Sequence, residues 1–327
     1  MTVVWGYGSI GRRHVMNLLA IDRGPIGLIT RSPQRISISH TDKIVVWTPD
    51  QVKWDQVDQL IIATPTSYHL EHLSLAITQG VKKILLEKPV SHSTSQIGDL
   101  TALINKTGTS VFVGYDLRYD EGIKQTERIL SSNKLGRICS IHAHAGQFLP
   151  DWRPSENYAR SMSALISQGG GVMLDLAHEI DYLVLLFGEI SALASSNHKR
   201  SDLEIETEDT CDTLFWFRDG FSGTLHLDYL QRPLRRFLDV VGDKGRLHVN
   251  LAEKIIELTC YENQSINRLD YQYQKRDDRF RECLLDFTSN QPSRRLCDWQ
   301  QGCASLKIIA ESKISETYRQ TRSGNIQ

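Results

Sequence analysis

Three groups of residues in this 327-residue chain have types and spacings suited to chemistry. The first is Gly6-Tyr7-Gly8-Ser9-Ile10-Gly11, which follows the apolar run Val3-Val4-Trp5 and opens a helical pattern with Ile10, Val15, Leu18 and Leu19 as its apolar positions. GxGxxG between a strand and a helix suits a dinucleotide. Gly6 permits the tight turn, Gly8 lets the backbone approach a pyrophosphate, and Gly11 lets the helix pack on the strand. The helix N-terminus then offers free N–H groups and a partial positive charge to the phosphates. The second group is Glu87-Lys88-Pro89, at the end of a strand read over 83–86. Proline drives the residue before it towards an extended backbone. The third is Asp175, His178 and Asp181, spaced by three within a helix read over 171–187. That spacing gives one polar stripe, opposite Leu176, Ile180, Leu183 and Phe187. An acid beside an imidazole orients it and stabilises its cation.

Strand and helix patterns alternate through the first third of the chain, as a doubly wound parallel sheet requires. Strands are expected at 26–30, 60–63, 83–86 and 111–114. Ligands in such sheets sit at the carboxyl ends of strands. Gly6 to Gly11, Thr64-Pro65-Thr66-Ser67-Tyr68-His69 and Glu87-Lys88-Pro89 all fall there. An NAD-specific site usually places an acid about 20 residues beyond the glycines. Here Thr30-Arg31-Ser32 stands instead. Arg31 could stack on adenine and pair with a 2′-phosphate, with Ser32 adding a hydrogen bond; a solvated arginine at a strand end is the alternative. The cofactor expected is therefore NADP or NAD.

The bulk numbers suit two globular domains. The chain is 40% hydrophobic and 24% charged, with a formal charge of −1, which gives no global attraction to nucleic acid or to an anionic membrane. No apolar run is long enough to span a bilayer. The opening Met1-Thr2-Val3-Val4-Trp5 reads as a core strand rather than a signal peptide. The six cysteines show neither CxxC nor zinc-finger spacing, so reduced thiols and a cytoplasmic location are expected. The polar stretch 195–212 is expected to be a surface excursion.

Together, Gly6 to His14, Ala63 to His69 and Glu87-Lys88-Pro89 resemble the glucose–fructose oxidoreductase / inositol dehydrogenase / rhizopine catabolism (Gfo/Idh/MocA) family. The likeness continues through Gly114-Tyr115-Asp116-Leu117-Arg118-Tyr119, Gly169-Gly170-Gly171 and the run from Asp175 to Tyr182. The resemblance implies an α/β fold in two parts: a Rossmann domain over 1–116, and an α+β domain over 117–327 with an open, mostly antiparallel sheet. The last helix, read over 300–318, could pack back on the first domain. The sheet's outer face commonly forms a subunit interface in this family, so a homodimer or homotetramer is expected. Strand-like runs at 137–146, 213–217, 221–229, 237–241, 246–249 and 255–258 agree, with Gly242-Asp243-Lys244-Gly245 as a hairpin turn.

Redox at a carbinol needs one group to hold the oxygen and another to take its proton. The resemblance gives the first task to Lys88 and the second to His178, with Asp181 at the family's HxxD spacing. Better-known members carry DxxxH where this chain has DxxH, so Asp175 is the departure; the variant resembles a subgroup associated with bacterial surface sugars. Arg118 falls within the family motif and is a candidate substrate contact. Family sites lie between the domains, so two basic segments could border the substrate: Arg232, Arg235 and Arg236 in 230–237, and Arg153 and Arg160. Arginine suits a phosphate or carboxylate, which would make the substrate an acidic or nucleotide-linked sugar; a solvated basic edge is the alternative. His142, His144, His226 and His248 lie in strand-like runs and are read as strand residues. Hydride transfer needs no metal, and none is expected. Three functions are compatible: a sugar dehydrogenase or reductase, an enzyme using bound cofactor without net redox, and a ligand sensor without turnover. Intact Lys88 and His178 favour the enzymes.

Overall fold

The computed structural model describes residues 1–36 and 41–323. The first half of the chain runs β1 (Thr2–Trp5), α1 (Ser9–Ala20), β2 (Ile26–Ile29), β3 (Ile44–Trp47), β4 (Gln59–Ile62), α2 (His69–Thr78), β5 (Lys83–Leu86), α3 (Ile97–Thr107), β6 (Ser110–Val113), α4 (Glu121–Ser131) and β7 (Ile138–Gly146). It continues α5 (Val172–Asp175), α6 (His178–Phe187), β8 (Ile190–His198), β9 (Thr210–Phe217), β10 (Ser222–Asp228), β11 (Arg235–Gly242), β12 (Gly245–Asn250), β13 (Ile255–Cys260), β14 (Ile266–Asp270), α7 (Arg276–Thr288), β15 (Cys297–Asp298) and α8 (Trp299–Ser323).

The chain divides into two compact units. One comprises Met1–Tyr119 with Arg276–Leu306, the other Asp120–Lys275 with Lys307–Gln327. The expectation assigned 117–327 to the second domain, with the last helix free to pack back on the first; the structure places 117–119 and 276–306, including the start of that helix, in the first unit. The reason is local. β15 pairs antiparallel with β6, and Leu284 and Phe287 of α7 are fully buried in one apolar cluster with Val15 and Leu18 of α1.

The first unit is built on a seven-stranded sheet in the order β15-β6-β5-β4-β1-β2-β3. Its strands β1, β2, β4 and β5 are four-residue, largely apolar runs buried on both faces, as parallel strands are, while β3 and the two-residue β15 form the edges. Every pairing except β15 with β6 is parallel. The strand order reverses between β1 and β4, and ligand loops gather at such a switch point.

The second unit is built on an eight-stranded sheet in the order β14-β13-β12-β11-β7-β10-β9-β8. β7 and β10 run parallel and the other neighbours antiparallel. Side chains alternate across it. Ile141, Ala143 and Ala145 of β7, Leu238 and Val240 of β11, and Leu247 and Val249 of β12 are buried on one face. His142, Thr224 and Asp239 stand on the other, where they line a shallow groove.

Two expectations change in this unit. The stretch 195–212 is a surface excursion only in part, with Lys199, Arg200, Asp202, Glu204 and Glu206 exposed. Ser195–His198 completes β8 and pairs with β9, and Asp209 is fully buried. Its carboxylate accepts the N–H groups of Arg200 and Ser201 and the hydroxyl of Ser201, so polarity here satisfies a buried turn rather than meeting water. Nor is 171–187 one amphipathic helix. It is α5 and α6, broken at Leu176 and Ala177, and both the polar and the apolar positions are buried.

Candidate active site

The dinucleotide loop is assembled from backbone. Gly6 has φ of +108°, a conformation that L side chains rarely adopt, and a side chain there would collide with the Ala63 carbonyl at the end of β4. A side chain at Gly11 would collide with the Gly6 carbonyl. Gly11 therefore lets α1 sit on the glycine turn itself. Beside Gly8 the space where a Cβ would project is open. α1 begins at Ser9 with no side chain capping its first N–H groups, which leaves those donors for an anion. These residues fit a pyrophosphate. Tyr7 packs against the apolar cluster below the loop.

Arg31 follows β2, exposed, with its guanidinium 5.5 Å from the centre of the Tyr68 ring. Tyr68 is stacked on His72 at 5.6 Å, and His72 on Trp5 at 4.0 Å. Burial, with the charges of His69 and Arg31 adding to it, pushes the His72 pKa down to about 4. The Ser32 N–H is bonded to Thr30 Oγ1, 3.2 Å away.

The β4 loop is held by its own hydroxyls and imidazoles. Thr64 Oγ1 lies 3.0 Å from His72 Nδ1, and Thr66 is buried beyond Pro65. His69 was expected among the cofactor contacts. The structure buries it and sets Nδ1 2.8 Å from the Pro89 carbonyl and Nε2 3.0 Å from the Thr64 carbonyl. Burial lowers its pKa against the pull of those carbonyls. Glu87 is also buried, with Oε1 2.6 Å from His14 Nε2, while Oε2 accepts the Lys88 N–H at 3.2 Å. Lys88 follows β5 after Glu87, at the carboxyl edge of the sheet.

Arg118 was expected at the substrate. It is 2% exposed and donates to Gln301 Oε1 at 2.8 Å and to the Arg295 carbonyl at 3.4 Å. Its fork is engaged inside the first unit.

In the second unit His178 opens α6, 9% exposed, and Asp175 closes α5. The helix break separates them, so the expected stripe of three is not continuous. Tyr229 of the strand end after β10 donates its hydroxyl to Asp175 Oδ2 at 2.7 Å. Asp181 lies one turn on in α6, 1% exposed. Glu179, fully buried, pairs with Arg236 Nε at 2.7 Å. Gly171, with φ of +121°, caps α5, and a side chain there would strike the Glu208 carboxylate. Burial raises the Glu208 pKa, and Asp175 raises it further.

The basic segments are largely paired. Arg232 meets Asp151 through two bonds of 2.7 and 2.9 Å and lies over the Phe148 ring at 3.7 Å. Arg153 pairs with Glu156 at 3.3 Å. Arg235 lies over Phe237, on the sheet face opposite Arg236 and α6. The strand histidines share that outer face: His144 stacks on His226 at 4.9 Å and on Phe237 at 5.2 Å. Hydrogen bonding to Asp228 and Asp212 raises the His226 pKa to about 9, and burial lowers that of His144 to about 4.

Sequence reasoning missed Tyr229, the pairing of Arg236 with Glu179 and the His14–Glu87 pair. His14 lies within the quoted glycine motif, and a buried-strand acid at Glu87 calls for a cation, but their pairing is a contact across 73 residues. Among the described residues no cluster of three or more His, Cys, Asp or Glu could hold a metal ion, and no helix is long and apolar enough to cross a membrane.

Two family models match the chain: "Oxidoreductase family, NAD-binding Rossmann fold" over residues 1–115, and "GFO/IDH/MocA C-terminal domain" over residues 123–248. Among similar proteins, myo-inositol 2-dehydrogenase of Thermotoga maritima is 24% identical over 302 residues, 88% of this chain and 86% of that one. An uncharacterized oxidoreductase of Bacillus subtilis, YrbE, is 25% identical over 230 residues, 67% of this chain and 64% of that one. The match thus spans less than two thirds of that relative's length. The solved UDP-N-acetylglucosamine 3-dehydrogenase GnnA of Acidithiobacillus ferrooxidans superposes with a TM-score of 0.78 at 18% identity, covering 97% of this chain and 98% of that one; at that identity the likeness is one of fold. The glycine turn before α1, the strand-end loops and the second unit's open sheet accord with these matches, and the chain belongs to the GFO/IDH/MocA oxidoreductase family, with its NAD-binding Rossmann domain.

Proposed function

We propose that this protein is an NAD(P)-dependent dehydrogenase or reductase of a sugar or sugar derivative. The observation that carries the reading is Lys88, at the carboxyl end of β5 in a turn tied to the dinucleotide helix through Glu87 and His14. A bound nicotinamide supplies the hydride acceptor or donor. Lys88 Nζ holds and polarises the substrate oxygen, and His178 takes its proton in oxidation or returns it in reduction. Asp181 is proposed to orient the substrate. Asp175, engaged by the Tyr229 hydroxyl, supports His178 indirectly by fixing the end of α5. A panel of sugars assayed with both NAD and NADP, followed by nicotinamide absorbance, tests the reading. Stoichiometric absorbance change supports it; product formed with no net absorbance change would instead assign transient oxidation, and binding without turnover a sensor.

NADP is the cofactor favoured at the adenosine end. No acid follows β2, and Arg31 and Ser32 stand where a 2′-phosphate is recognised. The finer substrate reading is a nucleotide-linked or acidic sugar. It is supported by the exposed Arg232, whose guanidinium lies over the Phe148 ring, and by the structural likeness to a UDP-sugar dehydrogenase. An anionic substrate must compete there with Asp151. We also read the outer face of the eight-stranded sheet, which includes the half-exposed Trp216, as the contact of a homodimer or homotetramer, tested by light scattering. Six free cysteines suit a reducing cytoplasm.

A further inference from the structure

We infer that His14 and His69 are positioning residues that hold the Glu87-Lys88-Pro89 turn from two sides, so that the loops taking the dinucleotide also set the direction of Lys88. The inference rests on the role given to Lys88 above. His14 stands in α1 just beyond Gly11 and is 2% exposed. Its Nε2 meets one oxygen of Glu87 at 2.6 Å, and the other oxygen of Glu87 accepts the Lys88 N–H. A single carboxylate thereby joins the glycine-loop helix to the peptide of Lys88. Glu87 is 6% exposed and packs over Gly114, where a Cβ would stand 3.0 Å from its Oε1. The Phe280 ring closes the His14 side, edge-on at 5.8 Å.

His69 holds the other side. It opens α2, fully enclosed, and spans the Thr64 carbonyl of the β4 loop and the Pro89 carbonyl of the Lys88 turn. Burial favours the neutral ring, with one N–H to give, and the tautomer decides which of the two carbonyls takes it. Both imidazoles are buried in the first unit and act on the reaction through the turn. The arrangement couples three segments that are far apart in sequence, at 6–14, 64–69 and 87–89. Loosening either histidine leaves a buried acceptor short of a donor beside Lys88, a costly state for a buried polar group.

Amide hydrogen exchange reads this directly, because the Lys88 N–H is itself one of the bonds. His14→Gln and His69→Gln should each speed exchange at Lys88 by about tenfold or more, in the presence and absence of NADH. Exchange in β1 should stay unchanged, and NADH affinity, followed by nicotinamide fluorescence, should stay within about threefold. Glu87→Gln breaks the same chain at its middle and must show the same Lys88 effect; it carries the test if His14→Gln fails to fold. In a Lys88→Ala enzyme, adding His14→Gln should cost no further turnover, because both changes act through one group. Unchanged exchange at Lys88 in both histidine variants would overturn the inference. Faster exchange throughout the seven-stranded sheet would overturn it too, since that marks general loosening. If Lys88→Ala keeps near-normal turnover, the chemical role of Lys88 falls, while the exchange result still decides the clamp.

Discussion

Lys88 and His178 are proposed to divide one proton-coupled task, and each should be indispensable. Lys88→Ala and His178→Ala are expected to lower turnover by about a hundredfold or more, the range for lost acid–base and electrostatic help. NADH binding should survive His178→Ala, since that residue belongs to the second unit; near-normal turnover in that variant would remove His178 from the chemistry. At the adenosine end, Arg31→Ala should weaken NADP more than NAD, and equal losses measured by titration would end the 2′-phosphate role. Arg232 stands in the loop before β11 and Arg235 on the outer face of the eight-stranded sheet. Arg232→Ala should raise KM for an anionic sugar and make its binding less salt-sensitive, whereas Arg235→Ala, on the sheet face away from Arg236 and α6, should leave KM unchanged. A neutral sugar turned over as well as its nucleotide-linked counterpart would sink the anion reading. The spacing of Gly6, Gly8 and Gly11, and Lys88 before Pro89, are local signals and stand in the structure as the sequence has them. For Arg118 a motif position says nothing of what lies behind it, here Gln301 and the Arg295 carbonyl.

The break between α5 and α6 is the element that spacing alone could not reveal. Asp175, His178 and Asp181 at intervals of three satisfy a helix equally well whether or not it is interrupted at Leu176 and Ala177. The signal present was Gly169-Gly170-Gly171, which announces unusual backbone without saying what it accommodates. The structure answers with the Glu208 carboxylate, folded in where a side chain at Gly171 would go. Gly171→Ala should therefore destabilise the protein by about 2 kcal/mol or more, from positive φ and the clash together, as read by chemical denaturation. Recovery in a Gly171→Ala, Glu208→Ala double variant would identify the clash as the larger share; no loss in the single variant would contradict this account. Over residues 1–119 of the Rossmann unit, by contrast, element type was mostly legible. The four-residue apolar strands and their alternation with helices are strong signals; the edge strand β3, with Val45 and Val46 partly exposed, went unread, and so did α7 and β15, which join this unit from far along the chain.

For the molecule as a whole, the outer face of the eight-stranded sheet gives stability a pH dependence. His226 is held protonated by Asp228 and Asp212, its pKa raised to about 9 in the folded state. A group whose folded pKa is raised contributes fully below its unfolded value, near 6.5, and loses that contribution as pH rises through about 9. The midpoint of thermal unfolding should fall across that window, and fall less steeply in His226→Asn. An unchanged slope would show that His226 is not the titrating group. None of this was visible in the sequence, where His226 is one polar residue in a strand; its partners are fixed by the pairing of β10 with β9 and by its own position two residues before Asp228.

The seven-stranded sheet takes its last strand, and α1 its helical neighbour, from residues 276–306. On the ribosome, then, the dinucleotide unit emerges unfinished. Val15, Leu18 and Tyr119 lack the Leu284 and Phe287 side chains that cover them until all of Asp120–Lys275 has been synthesised. At about 5–20 residues per second the wait is on the order of ten to thirty seconds. During that interval the edge of β6 and an apolar wall lie open to chaperones or to another nascent chain. A release from synthesis at residue 119 would yield not a small working Rossmann domain but a sheet missing its closing strand.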